Sequence, residues 1–131
     1  MEETSIPHDL KYTSEHEWIR ISGKTAVMGI TDYAQKQLGD IVFIELPDAG
    51  DEVGQNDALG VIESVKAASD FFAPVSGKIK SVNKAVVEEP AIVNKDPYGD
   101  GWLVKLTVAD ENEVSDLLSY EEYKGLLAEE E

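Results

Sequence analysis

Short apolar runs of strand length, each stopped by turn residues, constrain this chain more than any other feature. Val27-Met28-Gly29-Ile30, Ile41-Val42-Phe43-Ile44 and Leu103-Val104-Lys105-Leu106 are of this kind, rich in β-branched, aromatic and other apolar residues. β-Branched and aromatic side chains suit a pleated, half-buried surface. The segments between them, such as Ser22-Gly23, Pro47-Asp48-Ala49-Gly50 and Asp96-Pro97-Tyr98-Gly99, carry residues that set turn geometry. Strands are predicted over 17–21, 25–30, 40–46, 58–62, 70–73, 77–82, 91–93 and 102–108. A mostly β body follows.

Three helices interrupt or close this pattern. Thr31 followed by Asp32, with Gly39 a short distance on, predicts a capped helix whose apolar side is Tyr33, Ala34 and Leu38. Asp110, with Glu113 three residues on, predicts a helix carrying Val114, Leu117 and Leu118 on one face. Ser119-Tyr120-Glu121-Glu122 is a capping box, opening a second C-terminal helix with Tyr123, Leu126 and Leu127 inward. Glu129 to Glu131 are expected to fray.

The chain of 131 residues has room for one domain. Residues 1–9 are expected to form a flexible N-terminal segment and 10–131 the domain, C-terminal helices included. An apolar content of 42% excludes a wholly disordered chain, and no apolar run has the length of a membrane span. Glu2, Glu3 and Pro7 fit neither a secretory signal nor a transit peptide. The expected location is the cytoplasm of a bacterium or archaeon, or the mitochondrial matrix if a presequence has been removed.

Asp and Glu number 27 against 11 Lys and Arg, a formal net charge of −16. That argues against nucleic acid, whose binding rests on cationic neutralisation of phosphates. The acidity serves solubility, or steers the protein toward basic docking faces. The absence of cysteine removes disulfides, thiolate metal sites and thiol nucleophiles together. Only His8 and His16 are histidines, and Arg20 stands where a zinc-binding H-E-x-x-H helix would need the second one. No nucleophile elbow or phosphate-binding loop occurs. The chain carries no self-contained catalytic constellation.

Lys66 lies between the predicted strands 58–62 and 70–73, flanked by Ser64, Val65, Ala67, Ala68 and Ser69. A lysine normally lays its stem along apolar surface, and among such small neighbours it is expected to project. Taken alone, that describes an ordinary exposed lysine of the kind that blunts sheet edges. The longer run Ile62-Glu63-Ser64-Val65-Lys66-Ala67-Ala68-Ser69-Asp70, followed by Ala73-Pro74-Val75-Ser76-Gly77, resembles the modified hairpin of lipoyl domains. With Glu15-His16-Glu17-Trp18, Gly29-Ile30-Thr31-Asp32-Tyr33-Ala34-Gln35 and Asn94-Lys95-Asp96-Pro97-Tyr98-Gly99-Asp100-Gly101-Trp102, the chain from Tyr12 to about Ala128 resembles the H-protein family of the glycine cleavage system. Val65-Lys66-Ala67 differs from the Asp-Lys-Ala typical of 2-oxo-acid dehydrogenase domains and from the Met-Lys-Met typical of biotin carriers.

The resemblance implies a lipoyl-domain-like barrel-sandwich hybrid of two antiparallel sheets, with a short internal helix and C-terminal helices. It implies a carrier rather than an enzyme, with lipoate in amide linkage to Lys66. The arm would carry the aminomethyl group of glycine from a pyridoxal-phosphate glycine decarboxylase to a tetrahydrofolate-dependent aminomethyltransferase. A dihydrolipoyl dehydrogenase using FAD and NAD would then reoxidise it, and a lipoate ligase or lipoyl transferase would load it. Glu17 and Asp70 would line the cleft that shelters the loaded arm; at Glu15 the family more often has a smaller polar residue. A monomer is expected, without metal, nucleic acid or membrane. A lipoyl relay serving other enzymes, and an unmodified interaction module, are the other readings.

Overall fold

Ser22 and Gly23, the latter at φ +62, turn β2 (Glu17–Ser22) into β3 (Thr25–Ile30), and the two pair in antiparallel register from Glu17–Ile30 to Ser22–Thr25. This hairpin belongs to the larger of two sheets in the computed structural model, which describes residues 5–130. The remaining strands are β1 (Lys11–Tyr12), β4 (Ile41–Glu45), β5 (Glu52–Val53), β6 (Ala58–Ser64), β7 (Ala68–Phe72), β8 (Gly77–Val82) and β9 (Val104–Val108). The larger sheet has the order β1-β2-β3-β9-β8-β5 and the smaller one β4-β6-β7. Every pairing is antiparallel.

The sheets meet face to face. Ile19, Met28 and Leu106 of the larger sheet share a buried core with Ile44, Ile62 and Phe71 of the smaller. Strand alternation sends Trp18 to the opposite face from Ile19. There it joins Leu10, Tyr12, Tyr123 and Leu127 in a second buried cluster. Tyr12 and Tyr123 stack with ring centroids 4.5 Å apart, and the Trp18 indole donates to the Pro97 carbonyl at 2.9 Å. The larger sheet is thus covered on both faces where β2 runs, so apolar residues succeed one another there without strict alternation.

Among the described residues five helices accompany the sheets: α1 (Asp32–Leu38), α2 (Lys84–Glu88), α3 (Ala91–Lys95), α4 (Asn112–Ser115) and α5 (Tyr120–Glu130). Thr31 caps α1, accepting from the Ala34 amide at 3.2 Å, and Gly39 closes it at φ +79. Tyr33, Ala34 and Leu38 are half-buried, and the fully buried residue of the helix is Gln35. At α5 the capping box forms as expected: Ser119 accepts from the Glu122 amide at 3.2 Å, and Glu122 from the Ser119 amide at 3.0 Å.

Three expectations change. Residues 91–93 are helical, not a strand, because Pro90 starts a helical turn that carries Val93 into the core. Asn94 is thereby aimed at the end of α1, donating to the Gly39 carbonyl and the Gln35 side chain and accepting from the Ile41 amide. The helix begun near Asp110 ends at Ser115, so Leu117 and Leu118 lie beyond it; Leu118 bridges to Tyr12 through two 2.8 Å backbone hydrogen bonds. The strand expected over 102–108 begins only at Val104. Of the segment 1–9, residues 1–4 lie outside the described residues. Ser5 donates to Asp32 at 2.9 Å and accepts from Tyr98 at 2.7 Å, and Tyr12 donates to the Pro7 carbonyl. Of the terminal glutamates, Glu131 lies outside the described residues; Glu129 is within α5.

Candidate functional site

Strands β6 and β7 pair up to Glu63–Ala68, and the chain reverses through Val65, Lys66 and Ala67. Ser64 closes that reversal. Its amide donates to the Ala67 carbonyl at 2.7 Å, and its hydroxyl accepts from the amides of Lys66 at 3.3 Å and Ala67 at 3.1 Å. A serine side chain that substitutes for backbone partners is the usual means of holding a tight turn. The turn is also anchored sideways, since the Val65 amide donates to the Asp40 carbonyl at 3.0 Å. Lys66 is exposed at its tip, as expected. Its stem is not without support: Cε lies 3.5 Å from where a β-carbon on Gly39 would stand. Gly39 is required at the end of α1 for its positive φ.

Beside the hairpin, between α1 and the open end of the two sheets, lies a cleft of about 200 Å³. Ile30, Tyr33, Leu38, Ile62 and Phe71 form its apolar walls, and Glu15, Glu17 and Asp70 reach it with carboxylates. The structure therefore brings Glu17 and Asp70, 53 positions apart in the chain, to one cavity. Their settings differ. Asp70 is exposed on β7, whereas Glu17 is 2% exposed.

Glu17 is held from two directions. Thr13 donates its hydroxyl to Oε1 at 2.7 Å, and the Phe72 amide donates to Oε2 at 3.0 Å, joining β2 of one sheet to β7 of the other. Burial pushes the Glu17 carboxyl up to about 7 from an ordinary 4.5. The two hydrogen bonds oppose that rise by favouring the charged form, and Glu15 nearby adds to it. Thr13, four residues before Glu17, is a part of this arrangement that the sequence reading missed, as is Asn94 behind the hairpin.

A folded state that holds a proton more tightly than the unfolded chain gains stability where that proton is bound. The Glu17 contribution is fully present below pH 4.5 and is lost as pH rises through about 7. The expected loss is about 3 kcal/mol, at 1.36 kcal/mol for each pH unit between the two states. Urea unfolding of the wild type and of Glu17→Gln at several pH values checks this. The difference between the two curves should slope across that window, and a flat difference would show that folding does not raise the Glu17 carboxyl.

His16, with φ 69, packs against Tyr33 with the rings tilted and their centroids 4.7 Å apart, and shares a 2.9 Å hydrogen bond between Nδ1 and the Tyr123 hydroxyl, which also meets Thr31 at 2.7 Å. It serves the joint between α5 and the cleft wall. Among the described residues no group of His, Cys, Asp and Glu is placed to hold a metal ion, and no helix is long and apolar enough to cross a membrane.

A two-sheet sandwich that presents one lysine on a tied hairpin, with a sheltered cleft at its side, defines a small carrier domain. Residues 10–130 match the family model described as glycine cleavage H-protein. The chain is 58% identical over 125 residues to the glycine cleavage system H protein of Carboxydothermus hydrogenoformans, covering 95% of this chain and 96% of that one. It is 55% identical over 123 residues to the one from Legionella pneumophila, covering 94% and 98%. The crystal structure of a glycine cleavage system H protein from Mycobacterium marinum superposes with a TM-score of 0.87 at 41% identity, over 94% of this chain and 99% of that one. The chain belongs to the glycine cleavage H-protein family. It is a lipoyl carrier of the glycine cleavage system, and not itself a catalyst.

Proposed function

We propose that lipoate is joined through an amide to Lys66 Nζ, and that the cleft holding Glu17 and Asp70 shelters the arm once it is loaded. One observation carries this reading: the strand that leaves the lysine turn, β7, is the strand that supplies Asp70 to the cleft and the Phe72 amide to Glu17. The residues fit the group. Lys66 stands exposed on a turn of small side chains, and the adjoining cavity is apolar enough for an acyl chain with carboxylates within reach. Lipoate would supply a disulfide ring that is reduced as it takes up the aminomethyl group, and the dithiol left after transfer would later give up two electrons on reoxidation. The protein supplies position and exclusion of water.

The loaded arm ends in an amine that is cationic at neutral pH. Asp70 offers it a charged partner, and Glu17 a carboxyl that ionises readily once a cation is near. Arm retention should therefore strengthen as pH rises toward about 7, the value to which Glu17 is pushed without the arm, and level off above it. The partners that this reading requires are the decarboxylase, the aminomethyltransferase, the dihydrolipoyl dehydrogenase and a lipoate-attaching enzyme, met in the cytoplasm by a monomer.

Intact-mass measurement of protein from its native host, with peptide mapping, tests the attachment: one lipoyl group on Lys66 is expected, and lipoate on Lys78 or Lys80 would overturn it. The cleft is tested on loaded carrier with Glu17→Gln and Asp70→Asn combined. The double variant should release ammonia and formaldehyde without enzyme several-fold faster, since a charge-assisted hydrogen bond is worth roughly 1.5–3 kcal/mol and exposure of Asp70 lowers its share. A release rate equal to wild type would remove both residues from the arm's shelter.

A further inference from the structure

Large apolar side chains exposed to solvent gather at one place beside the lysine turn. Of five such residues among those described, Val42, Phe43 and Val65 are 55%, 48% and 70% exposed and neighbour one another. Ile41 pairs with Ser64 and Phe43 with Glu63, with a bulge between them, while Val65 is bonded to Asp40. In a regular strand, Val42 and Phe43 would point to opposite faces. The bulge gives β4 an extra residue, and both side chains turn outward while Ile41 and Ile44 remain in the core. The fold gains no core contact from this, and it leaves an apolar surface at the root of Lys66, edged by the exposed carboxylates of Asp40, Glu45 and Glu63.

We infer that Val42, Phe43 and Val65 form the docking surface for the enzyme that attaches lipoate to Lys66, an inference resting on the assignment of that lysine. Reach selects this occupant from the partners. In the attachment step, Lys66 Nζ gives up a proton and bonds to the carbonyl carbon of an activated lipoyl group, such as an acyl adenylate. The activating group leaves with its electron pair, and a second proton departs to give the neutral amide. The enzyme must bring that carbon to the end of a bare lysine whose stem lies along Gly39, so it must seat against the residues rooted beside it. Enzymes acting on the finished arm meet its far end, beyond a long acyl chain, and need not cover this surface. An apolar centre within an acidic rim calls for a partner face with an apolar centre and a basic rim.

The test uses Val42→Thr with Phe43→Thr, which places residues of good strand propensity at both positions and replaces apolar surface by hydroxyls. With a purified lipoate ligase, lipoate and ATP, kcat/KM for lipoylation of the apo variant should fall about tenfold, mostly through KM. Acylation of Lys66 by a small activated ester should match wild type, showing that turn and nucleophile are intact. Variant protein lipoylated to completion by prolonged incubation should serve the glycine decarboxylase within about twofold of wild type. An unchanged kcat/KM with the ligase overturns the inference, and so does an equal loss with ligase and decarboxylase. A wild type that accepts no lipoate at Lys66 would instead overturn the attachment site.

Discussion

Lys66→Arg is expected to abolish lipoyl attachment and, with it, all carrier activity, while thermal stability stays close to wild type. Arginine keeps the positive charge and a long stem, but its guanidinium does not deprotonate at neutral pH and is not a substitute amine for the amide. The turn itself does not depend on the lysine side chain. Ser64 closes it through backbone amides, and Asp40 anchors it through the Val65 amide. Surface substitutions of this kind usually stay within about 0.5 kcal/mol. Intact mass after co-expression with a lipoate ligase, paired with a thermal melt, checks both halves. Lipoylation of the variant would place the arm on another lysine, and a large drop in melting temperature would mean that the side chain supports the fold.

Gly60→Ala is expected to have the largest effect on stability. Gly60 lies on β6 at a bulge opposite β7, where the backbone of β4 crosses closely. A β-carbon there would stand 2.0 Å from the Glu45 carbonyl oxygen and 2.9 Å from the Phe71 ring. The first obstacle is backbone, so no rotamer change relieves it, and β4 would have to part from β6. Over-packing of this sort costs about 3 kcal/mol or somewhat more. The consequence reaches function, since the smaller sheet consists of only β4, β6 and β7 and carries the lysine turn. Chemical denaturation should show the loss at an unchanged m-value, with lipoylation slowed because the hairpin is less often formed. A stability within 1 kcal/mol of wild type would mean that β4 shifts freely here, contrary to the hydrogen-bonded pairing of Glu45 with Val61.

The residues that could be read correctly in sequence are those whose partners are close in the chain. Thr31 caps α1 three residues from the amide that it accepts, and Ser119 and Glu122 cap α5 across the same distance. The β6–β7 turn announced itself by small residues between two apolar runs, and Lys66 falls at its tip. The two-residue strands β1 and β5 were invisible because pairing, not composition, makes them strands. The expected strand over 91–93 failed for the opposite reason. Ile92 and Val93 have strand character by type, but Pro90 and the place waiting for Val93 in the core make the segment helical.

Near-neighbour chemistry sets the alternation of strands and turns, the helix starts, the acidic charge and the exposed lysine, and each of these is legible in the chain. The resemblance of its motifs added the family and pointed to Glu17 and Asp70. The state of Glu17 depends on contacts that no local pattern encodes. It is closed in between β2 and β7, bonded to an amide 55 residues away, and raised to about 7 by the water that folding removes. The same holds for Val42 and Phe43, which ordinary alternation would divide between core and solvent and which a bulge turns outward together. Desolvation and strand register arise between segments distant in the chain, so they exist only once the two sheets have met.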